Sequence, residues 1–324
     1  MSGMKPPLDR ATIWPYVDGE PGPFHYARNA HPVGVEAERA LGTLEGGEAL
    51  LFPSGMGAVT AVVLALLAPG QTVALAADAY YGTGVLLGDL ERWGLRHVLF
   101  DQTGPPPDGA DLVWIEAPSN PLLTMPDFEA AAAHPGLVLC DATAATPVHL
   151  RSLERGCDLV LHSATKYLGG HHDVLLGAVV AKAPEHAARL HEFRSRSGIV
   201  AGPDAASLLL RGLETLEARV RGETESAREL VRRLEAHEKT ASVRYPGFGA
   251  LLSFDVADGA AARRVETATR LIVNATSLGG VVSTMESRHR WEGDRVPEGL
   301  LRLSVGLEPV ERLWADLEHA LDQA

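Results

Sequence analysis

With 324 residues, 46% of them hydrophobic, and 42 acidic against 29 basic side chains for a formal charge of −13, the chain can bury a large core and divide into two domains. The acidic surplus argues against nucleic acid or an anionic membrane as a partner, because both reward clustered Lys and Arg; a small ligand remains. The stretch up to Phe24 has no apolar signal region, and every later apolar run is too short or too broken to span a bilayer, so the chain reads as soluble and cytoplasmic.

From about Leu50 to Val180, short apolar runs alternate with helical stretches, the order of a doubly wound α/β layer with a mostly parallel sheet. Strands are expected at Thr72–Ala76, His97–Phe100, Leu112–Glu116, Leu137–Asp141, Leu159–His162 and Gly177–Val180, with helices between them such as Ala58–Leu67. Apolar runs without alternation suit a sheet covered on both faces. Cys140 and Cys157 lie inside such runs, which favours buried, reduced thiols over a disulfide. Gly202-Pro203-Asp204 breaks the chain, and one long connecting helix is expected beyond it, with Leu209, Leu213, Leu216 and Val220 on a single stripe. An α+β region follows: a strand within Gly249–Asp255, a helix near Ala260–Leu271, a strand near Leu301–Val305 and a closing helix after Pro309. The expected division is an N-terminal arm (1–35), a large domain (36–202), and a connecting helix with a smaller C-terminal domain (203–324).

Ligands of open α/β sheets gather beyond the carboxyl ends of the strands. Tyr80, Asn120, Asp141 and the trio Ser163, Thr165 and Lys166 all follow such ends. Ser54-Gly55-Met56 opens a helix, offering backbone amides and a positive helix end to an anion. A lysine beside two hydroxyls, a strand-end aspartate and an anion nest together meet the needs of pyridoxal 5′-phosphate (PLP). Lys166 would hold the cofactor as an internal imine and, once freed and neutral, move protons on substrate carbons. Asp141 would keep the pyridine nitrogen protonated, so that the ring acts as an electron sink. Ser163 and Thr165, two apart on an extended segment and hence on one side, would hold the phosphate with the Gly55 and Met56 amides, and Tyr80 would stack on the ring. Each residue alone has a plainer reading, as a solvated lysine, a turn-capping aspartate or a packing tyrosine; their convergence favours a site. His171-His172-Asp173 near His162 has the composition of a metal site, but adjacent histidines on one loop rarely ligate one ion, and no metal is expected.

Further motifs follow in order: Asp78-Ala79-Tyr80-Tyr81-Gly82-Thr83, Trp114-Ile115-Glu116-Ala117-Pro118-Ser119-Asn120-Pro121, His162-Ser163-Ala164-Thr165-Lys166-Tyr167 running on to Gly169-Gly170-His171-His172-Asp173, Arg211-Gly212-Leu213-Glu214-Thr215-Leu216, Ser277-Leu278-Gly279-Gly280 and Arg302-Leu303-Ser304-Val305-Gly306-Leu307-Glu308. With these, almost the whole chain resembles the Cys/Met-metabolism family of fold-type I PLP enzymes, which includes cystathionine γ-synthase, cystathionine γ- and β-lyases, methionine γ-lyase and O-acylhomoserine sulfhydrylases. The resemblance implies that Tyr26 and Arg28 reach the phosphate bound in a neighbouring subunit, so the active unit is a homodimer, usually paired into a homotetramer. It implies that Arg302 pairs with the substrate α-carboxylate through two parallel hydrogen bonds, that Asn120 lies near the cofactor's phenolic oxygen and the substrate, and that Ser277 positions the imine and the lysine. The implied activity is cleavage or formation of C–S bonds at the γ or β carbon of a sulfur amino acid, cystathionine γ-lyase first. Cystathionine γ-synthase or O-acylhomoserine sulfhydrylase comes second, ahead of a non-catalytic PLP-binding protein or an aminotransferase.

The chain also departs from the family pattern. It is short between Tyr245-Pro246-Gly247 and Gly249, and between Gly280 and Arg302, where Ser287-Arg288-His289-Arg290-Trp291 points to a remodelled substrate entrance. Thr276 stands where cystathionine-handling relatives often carry Glu, Gly82 where methionine γ-lyases carry Cys, and Tyr81 where Gly is usual.

Overall fold

The computed structural model describes residues 6–324. Helix α1 (Pro32–Glu45) starts with proline at its first position, and the His31 Nδ1 before it accepts from the Gly34 N–H at 3.0 Å, so the cap is sequence-local. There follow β1 (Glu48–Phe52), α2 (Gly55–Leu66), β2 (Thr72–Ala76), α3 (Tyr81–Leu90), β3 (Arg96–Phe100), β4 (Leu112–Glu116), α4 (Phe128–Ala132), β5 (Leu137–Asp141), α5 (Thr146–His149), β6 (Leu159–His162), β7 (Gly177–Ala181) and α6 (Pro184–Ser197). The expected strands are all present, and β1 is one more that the apolar pattern did not isolate.

These seven strands form one sheet in the order β1-β7-β6-β5-β4-β2-β3. The sheet is mostly parallel as expected; β7 alone runs against its neighbours, β1 and β6. Alternate residues of every strand but the edge strand β3 feed opposite cores. Leu50, Phe52, Leu112 and Trp114 pack with α2, α3 and α6, whereas Leu51, Val113 and Ile115 pack on the side of α1 and the later helix α7 (Pro203–Glu214). Covering both faces is why β4, β5, β6 and β7 carry unbroken apolar runs. Cys140 and Cys157 are buried and free.

The single connecting helix is corrected to two, α7 and α8 (Leu216–Glu235), broken at Thr215, whose ψ of 3° leaves the helical range. Arg219 holds the break from inside α8, donating through Nε to Thr215 Oγ1 at 3.0 Å and through Nη2 to Gly212 O at 2.9 Å. Leu209, Leu216 and Val220 are buried, whereas Leu213 is only partly so.

Beyond it lie β8 (Ser242–Arg244), β9 (Leu251–Asp255), α9 (Gly259–Ala268), β10 (Val273–Asn274), β11 (Thr284–Ser287), α10 (His289–Glu292), β12 (Leu300–Ser304) and α11 (Val310–Leu321). Their strands form a second sheet, β10-β11-β12-β9-β8, with antiparallel pairing except between β10 and β11. Ser253 Oγ in β9 donates to Pro121 O at 2.8 Å, tying this sheet to the loop after β4.

Two features shape the site. The parallel strands β4, β5 and β6 end on Glu116, Asp141 and His162, and the reversed β7 begins beside them at Gly177. A Cβ on Gly177 would lie 2.1 Å from Ser54 O, so only glycine lets the β1–α2 turn close against the sheet there.

Candidate active site

A cavity of about 410 Å³ opens at the carboxyl edge of the first sheet and is roofed by residues of the second. Asp141 forms part of its floor. Its Oδ1 accepts from the Thr143 N–H at 3.0 Å and from Thr143 Oγ1 at 2.5 Å, while Oδ2 has no partner among the described residues. Burial raises the Asp141 pKa, and the Thr143 bonds and His162 pull it back. Glu116, its register partner on β4, is pushed well upward by burial and by Asp141. Two adjacent buried carboxyls titrate as a pair. Of the two, Glu116 is pushed up further, because burial and Asp141 both act on it, whereas the Thr143 bonds and His162 hold Asp141 back.

Lys166 follows β6, but the segment is not extended as expected. The Lys166 N–H donates to Ser163 O at 3.0 Å and closes a turn, which turns Ser163, Thr165 and Lys166 together into the cavity. Lys166 Nζ donates to Ser277 Oγ at 2.7 Å. Burial and the Arg302 charge lower its pKa to about 8, partly offset by Glu286. Ser277 has φ +82°, a conformation rare outside glycine and of the kind that collects at functional sites.

The Ser54 hydroxyl caps α2 by accepting from the Gly57 N–H at 3.0 Å. The Gly55 and Met56 N–H groups, at the first turn of the helix, have no acceptor among the described residues. Facing them is the Ser163 hydroxyl; a Cβ on Gly55 would come within 3.0 Å of Ser163 Cβ. The Thr165 hydroxyl is otherwise employed, donating to Leu176 O at 3.1 Å and accepting from Leu176 N at 3.0 Å. It fastens the lysine turn to the approach of β7.

Tyr80 sits before α3, its N–H bonded to Glu116 Oε2 at 2.6 Å and its ring 4.9 Å from that of Tyr81. Tyr81, in place of the usual glycine, lines the cavity. Opposite, Arg302 on β12 is buried and donates through Nη1 to Asn120 Oδ1 at 2.9 Å and through Nη2 to Ser277 O at 2.8 Å and Glu286 Oε1 at 2.6 Å. Burial and Arg288 lower its pKa to about 10.

Tyr26 and Arg28 do not reach this chain's own cavity. Arg28 donates to Ser195 O and lies over the exposed Tyr26 ring at 5.2 Å. Asp173 pairs with Arg211, His171 Nδ1 meets Gly169 O at 2.9 Å, and among the described residues no three His, Cys, Asp or Glu side chains converge for a metal. Sequence reasoning missed Glu116, Thr143, Glu286 and Arg288. Glu116 had a signal, a strand-end carboxylate like Asp141; Arg288 and Trp291 belong to the segment read as a remodelled entrance, and both line the cavity.

The sequence profile of the Cys/Met metabolism PLP-dependent enzymes matches residues 5–322. The chain belongs to this family. It is 39% identical over 339 residues to a putative cystathionine gamma-lyase of Streptomyces coelicolor, covering 95% of this chain and 86% of that one. It is 42% identical to an L-methionine gamma-lyase of Streptomyces avermitilis, covering 97% of this chain and 84% of that one. The crystal structure of cystathionine gamma synthase from Xanthomonas oryzae pv. oryzae, in complex with aminoacrylate and cysteine, superposes with a TM-score of 0.94 at 34% identity, covering 98% of this chain and 93% of that chain.

Members of the family are PLP-dependent trans-sulfuration enzymes of fold type I, and this chain is one of them. The residues present fit the cofactor. An open Asp141 oxygen suits a protonated ring nitrogen, the unpaired Gly55 and Met56 amides with the Ser163 hydroxyl suit a phosphate, and a lysine with a pKa of about 8 suits covalent attachment.

Proposed function

We propose that the chain is a carbon–sulfur lyase acting at the γ carbon of a sulfur amino acid, with cystathionine the first substrate to test. The observation that carries this reading is the Lys166 amine, with a pKa of about 8, bonded to Ser277 Oγ at 2.7 Å in the same cavity as Asp141 and Arg302.

Bound PLP supplies an electron sink for the substrate's α carbon. Lys166, Ser54, Gly55, Met56 and Ser163 would hold its aldehyde and phosphate ends, with Thr165 fastening the lysine turn beside them, Tyr80 would cover its ring, and Asn120 and Asp141 would take its polar edge. Arg302 orients the substrate α-carboxylate. Lys166 Nζ, neutral above about pH 8, takes the Cα proton and then works at Cβ as the thiol leaves Cγ. The Ser277 hydroxyl keeps the amine over those carbons. Cystathionine and water would yield cysteine, 2-oxobutyrate and ammonia. Tyr26 and Arg28, outside their own cavity, complete the phosphate site of a second subunit, making the working unit a homodimer or a pair of them. We also place the enzyme in the cytoplasm, where buried free thiols stay reduced.

Gly82 stands where methionine γ-lyases carry Cys, which favours cystathionine over methionine as substrate; a side chain there would require the Tyr80 ring to move, its Cε1 lying 2.6 Å from where a Cβ would sit. γ-Replacement is the second reading, supported by the likeness to a cystathionine gamma synthase. A substrate panel with product identification separates them. Cysteine and 2-oxobutyrate released from cystathionine are expected; turnover confined to an acylated homoserine plus a thiol would move the chain to the synthases or sulfhydrylases.

A further inference from the structure

Directly behind the cavity wall, bonded to four of the residues that line it, β11 places a carboxylate that the reaction above does not use. Glu286 is 4% exposed. Its Oε1 accepts from Arg302 Nη2 at 2.6 Å, Arg288 Nη1 at 2.7 Å and Thr276 Oγ1 at 3.2 Å, and its Oε2 accepts from Trp291 Nε1 at 3.2 Å. Arg288 is held from its other side by Glu292 Oε1 at 2.8 Å.

The consequence lies in the geometry of a guanidinium. It grips a carboxylate with two parallel N–H bonds, along either the Nε–Nη2 edge or the Nη1–Nη2 edge, and both edges use Nη2. In Arg302 the Nη2 protons are already committed to Ser277 O and Glu286 Oε1. Meanwhile Arg302 Nε and Arg288 Nε are buried with no acceptor among the described residues, a deficit that one more carboxylate in the cavity would relieve.

We propose that Glu286 is a resident occupant of the substrate-carboxylate seat, yielding Arg302 and falling back on Arg288 whenever an amino-acid carboxylate binds. This rests on the reading of Arg302 as the carboxylate receptor. Arg288 is thereby a second seat, built by the Val281–Gly299 segment for a carboxylate that must stay buried when displaced. Occupancy lowers the apparent affinity for any carboxylate ligand by the fraction of molecules in which Arg302 is free.

The test uses the holoenzyme and propionate, a carboxylate with no amine to react, titrated calorimetrically. Glu286→Gln keeps the shape but not the charge, and it should bind propionate on the order of tenfold more tightly, with a parallel fall in KM. Glu292→Gln removes the same charge beside Arg288 without touching Arg302, and should change propionate affinity little. Unchanged or weaker binding by Glu286→Gln overturns the proposal, as does equal tightening by both variants, which would reduce the effect to bulk charge. Arg302→Lys should lose propionate; if it does not, the receptor reading itself fails, and that outcome is distinct from the others. Independently of how any variant folds, crystals of the unaltered enzyme soaked in propionate should show Glu286 on Arg288 and off Arg302. Propionate seated on Arg302 with Glu286 still bonded to Nη2 would refute the exchange.

Discussion

A buried lysine with an ordinary pKa would be almost wholly charged at neutral pH and useless as a base. The Lys166 cavity lowers it from 10.5 to about 8 through burial and the Arg302 charge. In cofactor-free enzyme, reductive methylation of Lys166, followed by peptide mass spectrometry, should therefore rise with pH about a midpoint near 8; a midpoint near that of exposed lysines would contradict it. Glu116 shifts the other way. Its folded pKa lies above its ordinary 4.5, so the unfolded chain releases that proton first and stability falls as pH rises above 4.5 toward the folded value. Glu116→Gln abolishes that fall, and its melting temperature relative to the unaltered protein should climb across the same window. Lys166 and Asp141 were legible because each directly follows or ends an apolar strand, where ligands collect. Glu286 was not, since its role depends on facing Arg302 across the β11–β12 pair, and β11 is too short and polar to announce itself as a strand.

Between β1 and α2, a turn is held against β7 by the absence of a side chain. Gly177→Ala would place a Cβ 2.1 Å from Ser54 O. The turn must retreat, at a cost of about 1–3 kcal/mol, and with it go the Gly55 and Met56 amides. Thermal melting should show the loss, and the visible absorption of the bound cofactor should titrate at higher PLP concentrations than in the parent; unaltered cofactor affinity would separate the turn from the phosphate. Ser54→Ala, by contrast, leaves the Gly177 contact alone and removes the α2 cap, about 1 kcal/mol, together with one hydroxyl of the phosphate site. The apolar runs gave every strand of the first sheet but β1, because burial on both faces leaves a strong signature. The α7–α8 break stayed hidden because the apolar stripe continues through Thr215; what interrupts the helix is Arg219 reaching back to Thr215 and Gly212, a tertiary detail without a periodic trace.

Across the whole molecule, the arm leaves its own cavity unserved, and subunit exchange can show where it goes. Lys166→Ala and Arg28→Ala proteins should each be poor catalysts. Unfolded together and refolded as an equal mixture, they should regain activity in about a quarter of the sites, the share that joins an intact lysine to an intact partner arm. No recovery beyond the sum of the two would confine Arg28 to its own chain. The reversed strand β7 has a consequence in time as well as in space. β1 finds its hydrogen-bonding partner only when β7 exists, Glu48 waiting for Ala181. At about 5–20 residues per second on the ribosome, a nascent chain carries the unmatched Ser54 turn for many seconds, with an open strand edge prone to wrong pairing. A chain stalled before Gly177 is therefore expected to carry its lysine but to take up PLP more weakly than the full chain, because the turn that Gly177 packs against is unsupported.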